Sequence, residues 1–222
     1  MSESIPLEND RRFKTSYPIE ETTFHRVLVA TIKAIFKSLM KMEVTGMENL
    51  PKKGAVIVAA NHVTNMDIFP MQLALNRPIF FMGKAELFQN SLVHYLFRNL
   101  GAFPVYRGER DEWAFQHSLR LLHAGQVLGM FPEGTRSRGR GLKVAKTGAA
   151  RLSIDVQCPL IPMSIDGSQR FFKGFPRRNQ VTIIIGEEIL PEKGELPISL
   201  TDRLMFQMAR NLPVELRGVY AE

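Results

Sequence analysis

Short, nearly uniform apolar runs recur along this chain with helical periodicity between them, and that alternation restricts the fold more than any other feature. Gly54–Ala60 (Gly-Ala-Val-Ile-Val-Ala-Ala) reads as a buried strand, and Pro78–Met82, Ala102–Val105, Val127–Phe131, Leu160–Ile165 and Val181–Ile185 read the same way. Between them, Glu109–Ala124 carries Trp113, Leu119, Leu121 and Leu122 at helical spacing and stops at Gly125; Val144–Ile154 is a second helix, with small residues at Gly148, Ala149 and Ala150. Strands alternating with helices predict an α/β fold with a central, largely parallel, twisted β-sheet flanked by helices. Pro159 and Pro162 make Leu160–Ile165 a poor central strand and predict an irregular core or edge position for it.

Open sheets of this kind place their chemistry at the carboxyl ends of the strands. Gly54–Ala60 runs directly into Asn61-His62-Val63-Thr64-Asn65-Met66-Asp67. A turn there can bring Asp67 back onto the imidazole of His62, fixing its tautomer and leaving the other ring nitrogen free to take a proton. Pro70 fits only a first helical turn, so Asp67 also reads as an N-cap. No Gly-x-Ser-x-Gly elbow accompanies the pair, so the histidine is expected to act directly on a substrate hydroxyl.

Cations collect at two other strand ends. Ala102–Val105 leads to Arg107 and Arg110. Val127–Phe131 leads to Pro132-Glu133-Gly134-Thr135-Arg136-Ser137, then to Arg138, Arg140, Lys143, Lys146 and Arg151. Hydroxyls, a guanidinium and free backbone amides in one turn make a phosphate cradle. This clustering gives a location to the formal net charge of +7. A basic excess suggests an anionic partner, but no zinc-finger spacing or RNA-recognition signature points to nucleic acid. His25, His94, His117 and His123 fall on helical patterns, and no metal site is expected from them. The single cysteine, Cys158, excludes an internal disulfide and reads as a buried core thiol.

Ahead of the sheet, Thr22–Met42 places Phe24, Val27, Leu28, Thr31, Ile32, Ile35, Phe36 and Leu39 at helical spacing, with Arg26, Lys33, Lys37 and Lys41 largely on other faces. Such a helix can pack on a core, or can lie in a membrane interface with its lysines at anionic headgroups. Met1–Glu21 is polar and lacks the apolar core of a secretory signal, and no run approaches the ~18 apolar residues of a spanning helix. Two units are expected: residues 1–42, a polar start and an amphipathic seating helix, and residues 43–222, the α/β domain.

Taken together these blocks resemble the glycerolipid acyltransferase family, in particular its bacterial 1-acylglycerol-3-phosphate acyltransferases. Asn61-His62-x4-Asp67 is similar to the family's His-x4-Asp motif, and Gly101 to Arg107 to its second motif. Phe131-Pro132-Glu133-Gly134-Thr135-Arg136-Ser137 matches the third, Pro159-Leu160-Ile161-Pro162 resembles the fourth, and Lys84-Ala85-Glu86-Leu87 has a familial look. The resemblance covers about residues 43 to 186. It implies transfer of a fatty acyl group from an acyl thioester, on coenzyme A or acyl carrier protein and with no cofactor, to the sn-2 hydroxyl of lysophosphatidic acid, giving phosphatidic acid. His62 would be the general base and Asp67 its orienting partner. Arg107, Thr135 and Arg136 would hold the acceptor phosphate, helped by Lys84. Glu133 and Gly134 would shape the acceptor site, and the Pro159–Pro162 stretch the donor side. The resemblance further implies a peripheral or monotopic protein on the cytoplasmic face of an anionic membrane, seated by its first helix. Glycerol 3-phosphate or another lysolipid as acceptor, and a non-catalytic lipid-binding protein, are the competing readings.

Overall fold

The computed structural model describes residues 11–107, 111–170 and 178–221, the side chains of residues 11, 13, 37 and 38 excepted. Glu109 and Arg110 therefore lie outside the described residues, as do the first ten residues and the side chain of Lys37. Among the described residues the elements run α1 (Thr23–Leu39), β1 (Met40–Thr45), β2 (Val56–Ala60), α2 (Ile68–Ala74), β3 (Ile79–Lys84), α3 (Ser91–Asn99), β4 (Ala102–Val105), α4 (Glu112–His123), β5 (Val127–Met130), α5 (Gly148–Val156), β6 (Leu160–Asp166), β7 (Asn179–Ile185) and α6 (Pro197–Arg210).

The seven strands form one sheet in the order β1-β7-β6-β2-β5-β3-β4. Every pairing is parallel except β6 with β7, so five strands point one way and β1 and β7 the other. All five residues of β2 are buried, as expected of a strand covered on both faces. Helices α4, α5 and α6 pack in succession over one face. Helix α2 packs on β1, β6 and β7, and α1 and α3 join its layer through the Phe36–Phe69 and Phe24–Tyr95 ring contacts. The chain climbs outward through β2, β3 and β4, then returns to fill β5 and β6. Adjacent strands β2 and β5 thus send their following helices to opposite faces. That is a topological switch point, where a crevice opens at the carboxyl ends of the strands.

Three expectations need correction. The first helix stops at Leu39, not Met42, because Met40-Lys41-Met42-Glu43-Val44-Thr45 alternates with period two and pairs with β7 as an edge strand; Lys41 is therefore a strand residue. Strand β1 consequently occupies both sides of the expected 42/43 boundary. Strand β6 is central, hydrogen-bonded to both β2 and β7. Its Pro162 is accommodated because three residue steps on β6, from the Leu160–Ile189 bridge to the Met163–Ile185 pair, face four on the partner. The absent N–H falls at that bulge, while the Pro162 carbonyl still accepts from Gly186 N–H (2.8 Å). Finally, the apolar arc of α1 is only partly covered by the core. His25 is buried and Ile32 and Phe36 lie against the core, whereas Phe24, Val27 and Ile35 are exposed.

Candidate active site

His62 stands at the carboxyl end of β2, and its main chain is fixed before its ring is. The preceding Asn61 side chain donates to Ile165 O (2.9 Å) and accepts from Ile165 N–H (2.7 Å), bridging the ends of β2 and β6. His62 N–H donates to Glu133 Oε1 (2.8 Å), and His62 O accepts from Ser137 N–H (2.7 Å). The imidazole stacks on Phe131, with centroids 4.1 Å apart and planes 17° apart. Its Nδ1 lies 2.9 Å from Asp67 Oδ2.

Asp67 is wholly buried, and its charge is met on every side. Oδ2 also accepts from Val63 N–H (2.6 Å) and Thr64 N–H (2.8 Å); Oδ1 accepts from the hydroxyls of Thr64 and Ser168. A buried carboxylate needs such a set of donors to remain ionised. The N-cap role expected of Asp67 belongs instead to Thr64, whose Oγ1 accepts from Met66 N–H (3.0 Å) at the start of a 3₁₀ turn over Asn65–Asp67. Asp67 is the returning member of that capping box, which frees its carboxylate to face His62. An ionised acceptor at Nδ1 puts the ring proton there and leaves Nε2 with its lone pair. Ser168, 101 residues away in sequence, could not be found from the Asp166-Gly167 turn that precedes it.

Glu133 is nearly as buried, and both its oxygens are engaged: Oε1 with His62 N–H and Oε2 with Lys143 N–H (3.1 Å). Burial raises its pKa, opposed by those two backbone hydrogen bonds. Its visible work is to tie the β5 loop to the β2 loop. Gly134 takes φ +67°, and a Cβ there would approach the Lys146 side chain at 3.2 Å. Thr135 and Arg136 are exposed; Lys143 Nζ donates to Thr135 Oγ1 (3.3 Å) and Arg136 O (2.8 Å). The end of the chain braces the same loop: Leu142 N–H donates to Leu216 O (3.0 Å) and Ala145 N–H to the Tyr220 hydroxyl (3.1 Å).

Arg107, exposed at the end of β4, shares a largely apolar cleft of about 250 Å³ with Phe131, Gly134 and Lys146, bounded by α4 and α5. The turn before it is held by Asp111, which accepts from Tyr106 N–H (2.7 Å) and pairs with Arg12. Lys84 ends β3 at the same sheet edge, paired with Glu86 (2.9 Å) and outside that cleft. Thus His62 and Asp67 are brought into contact, and Arg107, Glu133, Gly134, Thr135, Arg136 and Lys84 lie on loops or strand ends along one edge. The Pro159–Pro162 stretch starts β6 instead: Leu160 and Ile161 are fully buried and pair with Ile57 and Val58, away from His62. Cys158 is buried too, and burial pushes its thiol up to about 12.

Comparison with known proteins agrees with this arrangement. The sequence model of the family described as "Acyltransferase" matches residues 41–166, more than half of the chain. A 1-acyl-sn-glycerol-3-phosphate acyltransferase of Borreliella burgdorferi is 29% identical over 135 residues, 60% of this chain and 54% of that protein. One of Bacillus subtilis is 28% identical over 159 residues, 71% of this chain and 78% of that protein. Among solved structures, the 1-acyl-sn-glycerophosphate (LPA) acyltransferase PlsC of Thermotoga maritima superposes with a TM-score of 0.64 at 26% identity, covering 81% of this chain and 78% of its own. The matched span begins in the edge strand β1 and ends with β6, so it contains both the His62–Asp67 pair and the loop that ties to it; this chain belongs to the acyltransferase family.

Proposed function

We propose that the protein transfers a fatty acyl group from an acyl thioester to the sn-2 hydroxyl of 1-acylglycerol 3-phosphate, releasing phosphatidic acid and a free thiol. The observation that carries this reading is the His62–Asp67 pair, a base whose partner carboxylate is wholly buried and satisfied, set against a loop rich in cations. His62 Nε2 takes the proton of the acceptor hydroxyl as its oxygen attacks the thioester carbonyl. The tetrahedral adduct collapses with cleavage of the C–S bond, and the imidazolium returns the proton to the departing thiolate. Asp67 stabilises the imidazolium between these steps. A thioester is already activated, so a positioned base and oriented substrates suffice without a covalent enzyme intermediate.

Arg107, Thr135 and Arg136 hold the acceptor phosphate in this reading, with Lys84 further along the edge, and Gly134 shapes the cleft mouth. Glu133 contributes through the His62 backbone. The segment ahead of the sheet, with α1, seats the catalytic unit on the cytoplasmic face of an anionic membrane; among the described residues no helix is long and apolar enough to cross one.

The test measures thiol release and lipid product together, with acyl-coenzyme A and with acyl carrier protein thioester, in mixed micelles with and without lysophosphatidic acid. Acceptor-dependent release matched by phosphatidic acid is expected. Release indifferent to acceptor, or transfer only to glycerol 3-phosphate, would overturn the assigned acceptor. Silence with both donors and a panel of lysolipids would leave a lipid-binding protein.

A further inference from the structure

Helix α3 buries none of its residues completely, although it lies between two strands of the sheet. Val93, His94 and Phe97 turn inward; His94 stacks on Tyr17 and Phe97 meets Phe88. Leu92, Tyr95 and Leu96, at helical spacings of three and four, face outward at 67%, 49% and 37% exposure. On α1, Phe24, Val27 and Ile35 do the same on one side of the helix, while His25, Ile32 and Phe36 hold the sheet side. The two outward stripes meet where the Phe24 and Tyr95 ring centroids come within 5.9 Å, so exposed apolar side chains of two neighbouring helices are joined at that contact. Single exposed apolar residues are ordinary; a contiguous group on neighbouring helices marks a contact surface.

We infer that α3 is a second membrane-seating element, which docks with α1 on an anionic bilayer surface through this joint face. The charge pattern selects the occupant. Neither helix contains an acidic residue, while α1 carries Arg26, Lys33 and Lys37 and α3 carries Arg98. Arg26 and Lys33, seven residues apart, lie along one line of α1, about 100° or more round the helix from its exposed apolar stripe, and Arg26 is 3.9 Å from Glu21 just ahead of the helix. An exposed apolar surface on two helices that carry cations and no carboxylate suits acyl chains beneath anionic headgroups. Two anchors roughly side by side also fix the rotation of the domain, which one amphipathic helix leaves free. The inference rests on the lipid-substrate reading above, and it separates α3 from the expectation that the first helix alone does the seating.

The experiment compares the whole chain with a Leu92→Gln/Leu96→Gln variant and with a Val27→Gln/Ile35→Gln variant. All four positions are exposed, so the fold should survive, and helical circular dichroism checks that it does. Partitioning is measured by flotation with vesicles of phosphatidylglycerol and phosphatidylcholine, and activity with an acceptor short enough to remain monomeric. Each variant is expected to bind vesicles about tenfold or more weakly, with unchanged turnover on the monomeric acceptor. Unchanged flotation of the α3 variant beside a loss in the α1 variant would overturn the inference. So would concentration-dependent self-association of the wild type that the α3 substitutions abolish, which would assign the face to a second copy of this chain. Absence of turnover in every form would instead count against the proposed reaction and leave the flotation result standing.

Discussion

Two buried histidines, His62 and His117, stand in opposite settings. Both stack on an aromatic ring: His62 on Phe131, and His117 on Trp113 with the planes 3° apart. His62 faces a carboxylate held by main-chain and hydroxyl donors. His117 sits among Tyr17, Phe103 and Trp113, its Nδ1 is 3.3 Å from the Arg120 guanidinium, and its buried Nε2 has no hydrogen-bond partner among the described residues. Desolvation, and then the Arg120 charge, lower the His117 pKa to about 4. Burial alone therefore yields a neutral ring that serves as one more aromatic in a core. A carboxylate on one nitrogen instead fixes the ring's orientation and leaves the lone pair of the other nitrogen for a substrate proton.

The largest effect that sharpens this contrast is on rate. His62→Ala is expected to lower turnover by about 10²–10⁴-fold, the usual contribution of a positioned general base, with the urea midpoint little changed. His117→Phe should leave turnover near wild type. Comparable losses in both variants would break the contrast and make His62 one more packed ring.

The fold was legible where the sequence is uniform and obscure where contacts are distant. Val56–Ala60 announces a two-face-buried strand, and its run into His62 places the base without a structure. β1 was hidden because its alternating Met40, Met42 and Val44 follow a helix without a break, so three residues fit either period. The centrality of β6 was masked by Pro162, whose tolerance depends on a bulge in a partner 23 residues later. At the site, Asp67 was within five residues of His62 and visible. Ser168 was invisible, because nothing in a Gly167-Ser168 turn signals a hydrogen bond to a carboxylate 101 positions earlier. The link from Glu133 to His62 is also main-chain chemistry, which a motif of side chains does not display.

The next effect falls on stability and reads the other histidine. A base whose folded pKa lies below its unfolded value near 6.5 takes up its proton more readily when unfolded. The stability of the wild type should then be intact above pH 6.5 and fall as pH drops toward 4. The total is about 3 kcal/mol for a shift of this size. Phe at position 117 cannot titrate, so urea unfolding at pH 7 and at pH 4.5 should differ less in His117→Phe than in wild type. Equal acid sensitivity in the two proteins would show that His117 is not the group responsible.

Smaller again is the effect of the exposed cations, which have neither histidine's burial. Arg136→Ala removes a guanidinium that no described protein group restrains, and should raise KM for the acceptor about tenfold with kcat nearly constant. A change in kcat without one in KM would move Arg136 from phosphate binding to the chemical step.

The smallest effect tests why the His62 setting works at all. Ser168→Ala deletes one hydroxyl donor from Asp67 Oδ1 and leaves the Thr64 hydroxyl on the same oxygen and the backbone donors on the other. One neutral donor lost to a buried charge is worth about 1–2 kcal/mol. That free energy divides between fold stability and the orientation of His62, so turnover should fall only about three- to tenfold, with acceptor KM unchanged. Ser168→Thr retains the hydroxyl and should recover most of the loss if its methyl group fits, whereas Ser168→Cys offers only a weak donor and should behave like alanine. If all three variants turned over like wild type, the Thr64 hydroxyl and the Val63 and Thr64 amides would be sufficient. The carboxylate would then be positioned by its own capping box, and the contact across 101 residues would serve only to join the end of β6 to the end of β2.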